Sequence, residues 1–177
     1  EEIAKNIGPS LAKSAIAISV NGEVKDLNYE INKDSIIQII TKDSELGIEI
    51  LRHDAAHVMA EAVKMLYLDV QVTIGPPIEN GFYYDFSKKD PFIPEDLIKI
   101  EKKMHEIISK NEPFKREVWD KKKAIDYFKD KGELYKIELI KGIPSKEEIS
   151  IYKQGSFLDL CKGPHSQSTG KIGKFFK

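Results

Sequence analysis

The dipeptide Asn21-Gly22, set between the two β-rich runs of "AIAISVNGEVKDLNYEI", constrains this chain more than any other feature. A two-residue I′ turn needs positive φ at both central positions, which Asn and Gly adopt at little cost, so the flanking runs pair as an antiparallel hairpin. "DSIIQIIT" reads as a further strand, and "EEIAKNIGPSLAKS" reads as a short helix broken at Gly8-Pro9. Residues 1–43 thus form a small helix-and-strand unit, too small to be a complete domain alone.

Beyond it, helices and hairpins intermingle. Ser44 is placed to cap a helix, with Glu45 favourable to the dipole of its first turn. Ile48, Leu51, Ala55, Val58, Ala62 and Leu66 follow helical spacing and predict the core-facing stripe. At about 100° per residue, His53 and His57 fall on the other side with Ala60 and Lys64. "VQVTIGPPIENGFYYDF" reads as two strands around a Gly-Pro-Pro turn, the second entered through Asn80-Gly81. "PEDLIKIEKKMHEIISK" reads as a surface helix with Leu97, Ile100, Met104, Ile107 and Ile108 on one stripe. "FKREVWDKKKAIDYFKDK" adds a strand and a helix, "LYKIELIK" a strand, and "SIYKQGSFLDLCKGPH" a strand pair. This order predicts an α+β fold, an antiparallel-rich sheet packed with helices, rather than a doubly wound parallel sheet.

Composition narrows the function. With 41% hydrophobic residues in 177, the chain can bury a real core. Its longest apolar runs are far too short to span a bilayer, and the N-terminus lacks the order of a signal peptide, so a cytoplasmic protein with no membrane partner is expected. A net charge of −1 gives no global basic field, so any nucleic-acid contact is local. The single cysteine, Cys161, has no internal disulfide partner. The chain opens on Glu1 and stops at "GKIGKFFK", so a piece of a longer protein is expected.

Two spaced pairs carry the chemistry. His53-x-x-x-His57 aims two imidazoles at one point, and Cys161-x-x-x-His165 repeats the spacing across a Gly163-Pro164 turn. Cys plus three His make either a tetrahedral zinc set or a metal-free hydrolytic pocket, and the residues alone leave both open. A zinc-protease site would need Glu after the first His, where this chain has Asp54. Lys136 stands as a cation on one face of an apolar run, either snorkelling to water or held in a site. Tyr83, Tyr84 and Trp119 read first as packing, "KREVWDKKK" as a solvated face, and His105 as outside any site.

Taken in order, "RHDAAH", "IGPPIENGFYYDF", "MHEIISKN", "LYKIEL" and "DLCKGPH" together resemble the editing domain of bacterial threonyl-tRNA synthetases, from about Leu46 onward. Residues 1–43 look like part of the ubiquitin-like β-grasp (TGS) domain that precedes it, leaving 44–177 as the editing domain. The resemblance implies hydrolysis of the ester in mischarged Ser-tRNA(Thr), within a parent enzyme that ligates threonine to tRNA(Thr). The synthetic core with its ATP and Zn2+ sites, through which the parent would form a homodimer, is not encoded here. It also implies roles. His53 would position or activate water, and Lys136 would steady developing negative charge. His57, Cys161 and His165 would complete the pocket, while Tyr84 and Asp159 would bind the seryl group or terminal ribose. Alanyl-type editing domains hold zinc with the same four residue types, whereas the threonyl type works without it. No metal is therefore expected for editing, with His53, His57, Cys161 and His165 as the zinc set if one binds. The alternatives are an alanyl-type tRNA editing hydrolase and a non-catalytic tRNA-binding module.

Overall fold

Pro9 and the Asn21-Gly22 turn organise the first part of the chain, of which the computed structural model describes residues 1–173. Helices α1 (Glu2–Ile7) and α2 (Pro9–Ser14) meet at Gly8, with Pro9 at the start of the second helix, where its missing N–H is no loss. Strands β1 (Ala15–Val20) and β2 (Glu23–Asp26) then pair antiparallel through Asn21 at φ 52° and Gly22 at φ 88°, as the turn chemistry requires. Strand β3 (Ile37–Thr41) pairs antiparallel with the other edge of β1, giving the order β2-β1-β3. The central strand is buried on both sides. Ala15 and Ile18 pack with Ala4 and Leu27, while Ile16 and Ala17 pack with Ile40 and Ile50.

Helix α3 (Glu45–Leu66) is capped by Ser44, whose hydroxyl accepts the Gly47 N–H at 3.2 Å. Gly47 is required by close approach, since a Cβ there would lie 1.9 Å from the Thr41 carbonyl oxygen. Val58, Ala62 and Val63 pack against Ile100, Met104, Ile107 and Ile108 of α4 (Pro94–Lys110), as periodicity predicts. Ile48 and Leu97 depart from it, being 42% and 59% exposed near the N-terminal ends of their helices. The opposite face of α3 is buried as well, because Ala56 and Ala60 let Val72 and Tyr84 approach closely. Here the expected pair of strands is four short ones: β4 (Gln71–Val72) pairs with β7 (Phe86–Ser87), and β5 (Pro77–Ile78) with β6 (Gly81–Phe82). Pro76 and Pro77 offer no N–H to a longer ladder.

A second three-stranded antiparallel sheet, in the order β10-β9-β8, contains β8 (Lys115–Trp119), β9 (Ile149–Gln154) and β10 (Phe157–Leu160). Helices α5 (Lys121–Asp130) and α6 (Leu134–Gly142) cover it, with Phe128, Ile137 and Ile140 against Ile149 and Ile151. Residues 134–142 are thus helical, not the expected strand. A strand would send Lys136 and Ile137 to opposite faces, whereas the helix keeps Lys136, Ile137 and Ile140 together on its buried side. All the paired strands are antiparallel and mixed with helices, the predicted α+β class. Among the described residues, no helix is long and apolar enough to cross a membrane.

Candidate functional site

One cleft of about 540 Å³ opens between α3, the Gly75-Pro76-Pro77 loop and the residues that follow β10. Its walls include His53, His57, Tyr84, Lys136, Asp159 and Cys161. Helix α3 supplies His53 and His57 one turn apart, and β10 carries Asp159 and runs through Leu160 into Cys161. The cis Gly163-Pro164 bond follows, bringing His165 back beneath the cleft. The ligand atoms of His53, His57, Cys161 and His165 all lie within 4.8 Å of one another. Cys161 Sγ is 3.3 Å from both His53 Nε2 and His165 Nε2, and the His53 and His165 rings stack at 4.4 Å.

Across the cleft lies a buried polar cluster. Lys136 and Asp159 are each 1% exposed, with Lys136 Nζ 2.6 Å from Asp159 Oδ1. The ammonium also donates to the Tyr84 hydroxyl at 3.0 Å, and that hydroxyl donates to Asp159 Oδ2 at 2.5 Å. Lys136 therefore does not snorkel. Tyr84 is held from behind by Gly75, where a Cβ would meet its ring at 2.3 Å.

Burial sets the protonation of these groups. Desolvation, reinforced by the charge of a neighbouring His165, pushes His53 down to about 4. Desolvation likewise pushes His165 down to about 4, against the pull of Asp26 and Asp159, and drives His57 well below its ordinary value. All three imidazoles are neutral near pH 7. Burial pushes the Cys161 thiol up to about 12, although the Gly163 N–H favours its thiolate, and it pushes Tyr84 well above the ordinary phenol. The cleft thus combines neutral imidazoles, a thiol and one buried ammonium.

Three partners were not foreseen. Asp54, fully buried, lies 2.7 Å from His165 Nδ1, and burial raises its carboxyl to about 7. Phe114 stacks on the far side of His165 at 4.7 Å, and Tyr152 packs edge-on against it at 4.5 Å. Only Asp54 carried a signal, as a carboxylate between two helical histidines. The Cys161–His165–Asp54 chain has the outline of a nucleophile, base and orienting acid, but a thiol at about 12 yields little thiolate near neutral pH.

The four His and Cys groups also fit a zinc ion. Bonds of roughly 2.0–2.3 Å in a tetrahedral array separate ligands by roughly 3.3–3.8 Å, so these atoms need only small shifts. His57 Nδ1 is a buried nitrogen without a hydrogen-bond partner among the described residues, and Asp54 behind His165 matches the carboxylate–histidine pattern of metal sites.

Comparison with known proteins places the chain in a family. The family described as TGS domain matches residues 1–41, and that described as Threonyl and Alanyl tRNA synthetase second additional domain matches residues 149–177. The chain is 55% identical over 174 residues to the threonine--tRNA ligase of Parvibaculum lavamentivorans, covering 98% of this chain and 27% of the relative. It is 56% identical over 177 residues to that of Paramagnetospirillum magneticum, covering 99% of this chain and 28% of the relative. The figures for Pelagibacter ubique are 56% over 176 residues, again 99% and 28%. The chain spans just over a quarter of the length of these relatives. It therefore belongs, along its whole length, with the N-terminal region of bacterial threonine--tRNA ligases, a TGS segment followed by the second additional domain of threonyl- and alanyl-tRNA synthetases.

Proposed function

We propose that the cleft is a proofreading site that hydrolyses the ester of Ser-tRNA(Thr), within a parent enzyme that ligates threonine to the same tRNA using ATP. The observation that carries this reading is the buried Lys136 ammonium facing the same cleft as the neutral imidazole of His53. Ester hydrolysis needs a positioned water and a fixed positive charge where the carbonyl oxygen becomes negative. An imidazole pushed down to about 4 is a weak base, so His53 serves as an acceptor that orients the water. Lys136, buried and held by Asp159 and Tyr84, stabilises the tetrahedral oxyanion. Water adds to the carbonyl and the carbon–oxygen bond to the ribose breaks. The water's proton ends on the departing ribose hydroxyl, leaving serine and an intact 3′ end. His57, Cys161 and His165 wall the pocket, and Tyr84 and Asp159 contact the seryl group or the ribose. If zinc were held by His53, His57, Cys161 and His165, it would act as a Lewis acid and Cys161 would have to give up its proton.

Such a site answers a physical need. One methyl group in a binding pocket is worth only about 1–3 kcal/mol of discrimination, so a threonine-binding site admits serine at a level only a second, hydrolytic site can correct. The partner is then the acceptor end of tRNA(Thr), in a chain working in the cytoplasm. The reading is tested with non-hydrolysable seryl- and threonyl-adenosine amides in calorimetry and by NMR. The seryl compound should bind with one-to-one stoichiometry and displace signals from His53 and Tyr84, and the threonyl compound should bind roughly tenfold or more weakly. Equal affinities, or seryl binding away from the cleft, would remove the proofreading reading.

A further inference from the structure

Asp26 ends β2, inside the segment matched by the TGS family, yet its carboxylate reaches the wall of the cleft. Its Oδ1 accepts the backbone N–H of His165 at 2.9 Å. The Tyr152 hydroxyl donates to the same carboxylate, lying 3.0 Å from Oδ1 and 2.9 Å from Oδ2. Tyr152 in turn packs against the middle and the far end of the turn that carries Cys161 and His165. Its ring packs against the His165 imidazole, and its hydroxyl sits where a Cβ on Gly163, at φ 71°, would lie 2.1 Å away. An ionised carboxylate accepting two donors makes stronger hydrogen bonds than a neutral acceptor, which suits a turn that must hold two reactive side chains in register.

The geometry points to Asp26 as a positioning residue for hydrolysis in the cleft: the TGS segment completes the site by locking the Cys161–His165 turn against Tyr152. This inference rests on the hydrolytic reading of the cleft. It makes residues 1–43 and 44–177 one working unit, with a residue from the first deciding the geometry of the second.

The test uses the complete 177-residue chain carrying Asp26→Ala, Asp26→Asn or Tyr152→Phe, with single-turnover deacylation of Ser-tRNA(Thr) followed across enzyme concentration. Asp26→Ala should lower the maximal rate roughly 10- to 100-fold, the effect of a small misplacement of reacting groups, while half-saturation shifts less than about threefold. Asp26→Asn, which keeps the shape and one acceptor, should recover part of that rate while staying several-fold below the parent. Tyr152→Phe, which breaks the link to Tyr152 but leaves the carboxylate on the His165 N–H, should lower the maximal rate several-fold, less than Asp26→Ala, and the parent rate in this variant would remove Tyr152 from the lock. The His165 amide proton resonance should move in Asp26→Ala and much less in Asp26→Asn. If Asp26→Ala does not fold, Asp26→Asn carries the test, with a several-fold loss of maximal rate at unchanged half-saturation supporting the role and the parent rate overturning it. A folded Asp26→Ala with the parent rate, or a loss confined to half-saturation, also overturns it. An inert parent chain instead overturns the hydrolytic reading and takes this inference with it.

Discussion

Replacing Lys136 by methionine should destabilise the fold and silence the cleft together. Methionine fills similar space without the charge, and so leaves Asp159, 1% exposed, as an unpaired anion in the protein interior. Removing one partner of a buried pair costs about 3–5 kcal/mol, mostly the penalty of stranding the other charge. In a domain of this size each kcal/mol lowers the melting temperature by about 2–4 °C, so thermal unfolding should begin roughly 10 °C earlier. Deacylation should fall by about 10²–10³, the loss seen when a preorganised oxyanion partner is deleted. The double variant Lys136→Met/Asp159→Asn separates the two effects. A neutral Asn can still accept the Leu160 N–H through its oxygen and donate its amide to the Tyr84 hydroxyl, which has lost the Lys136 donor, so stability should largely return while activity does not. A Lys136→Met protein with parent rate and parent melting temperature would show that the pair serves neither purpose.

His53→Ala should have the second largest effect, and a purer one. The ring stacks on His165 and touches Cys161, but His53 is only part-buried and no charge is stranded by its removal. Loss of an oriented water should lower the single-turnover rate by about 10²–10³ while binding of the seryl-adenosine amide stays within a few-fold. The parent's pH profile carries a linked expectation. A depressed pKa means the neutral ring survives as pH falls, so His53 should contribute no inflection at 6.5 and lose function only as pH passes down through about 4. A step near pH 7 would belong to Asp54, raised to about 7 beside His165, and should vanish in Asp54→Asn. A step at 6.5 that survives Asp54→Asn would mean that His53 is solvated, contrary to the packed cleft.

How far sequence could lead depended on the range of the interaction that decides each element. The Asn21-Gly22 hairpin and the stripe of α4 were readable because turn conformation and helical period are local properties. The Ser44 cap was readable for the same reason. Residues 134–142 were not, because apolar Leu134, Ile137, Leu139 and Ile140 suit a short strand or a helix alike, and only packing of Ile137 and Ile140 against Phe128 and Ile151 selects the helix. In the cleft, the two spaced pairs announced themselves by repetition. The groups that orient them did not: Asp54 meets His165 from 111 residues away, and Asp26 from 139. A lone aspartate gives no sign of such a partner before the chain has folded.

The most direct test of the proofreading site is to mix the purified chain with Ser-tRNA(Thr) and, separately, Thr-tRNA(Thr), and to follow release of each amino acid over a single turnover. The cleft described here predicts rapid release of serine, little release of threonine above the uncatalysed rate, and loss of serine release in His53→Ala. Equal release of both amino acids, or release of neither by a folded chain, would contradict it.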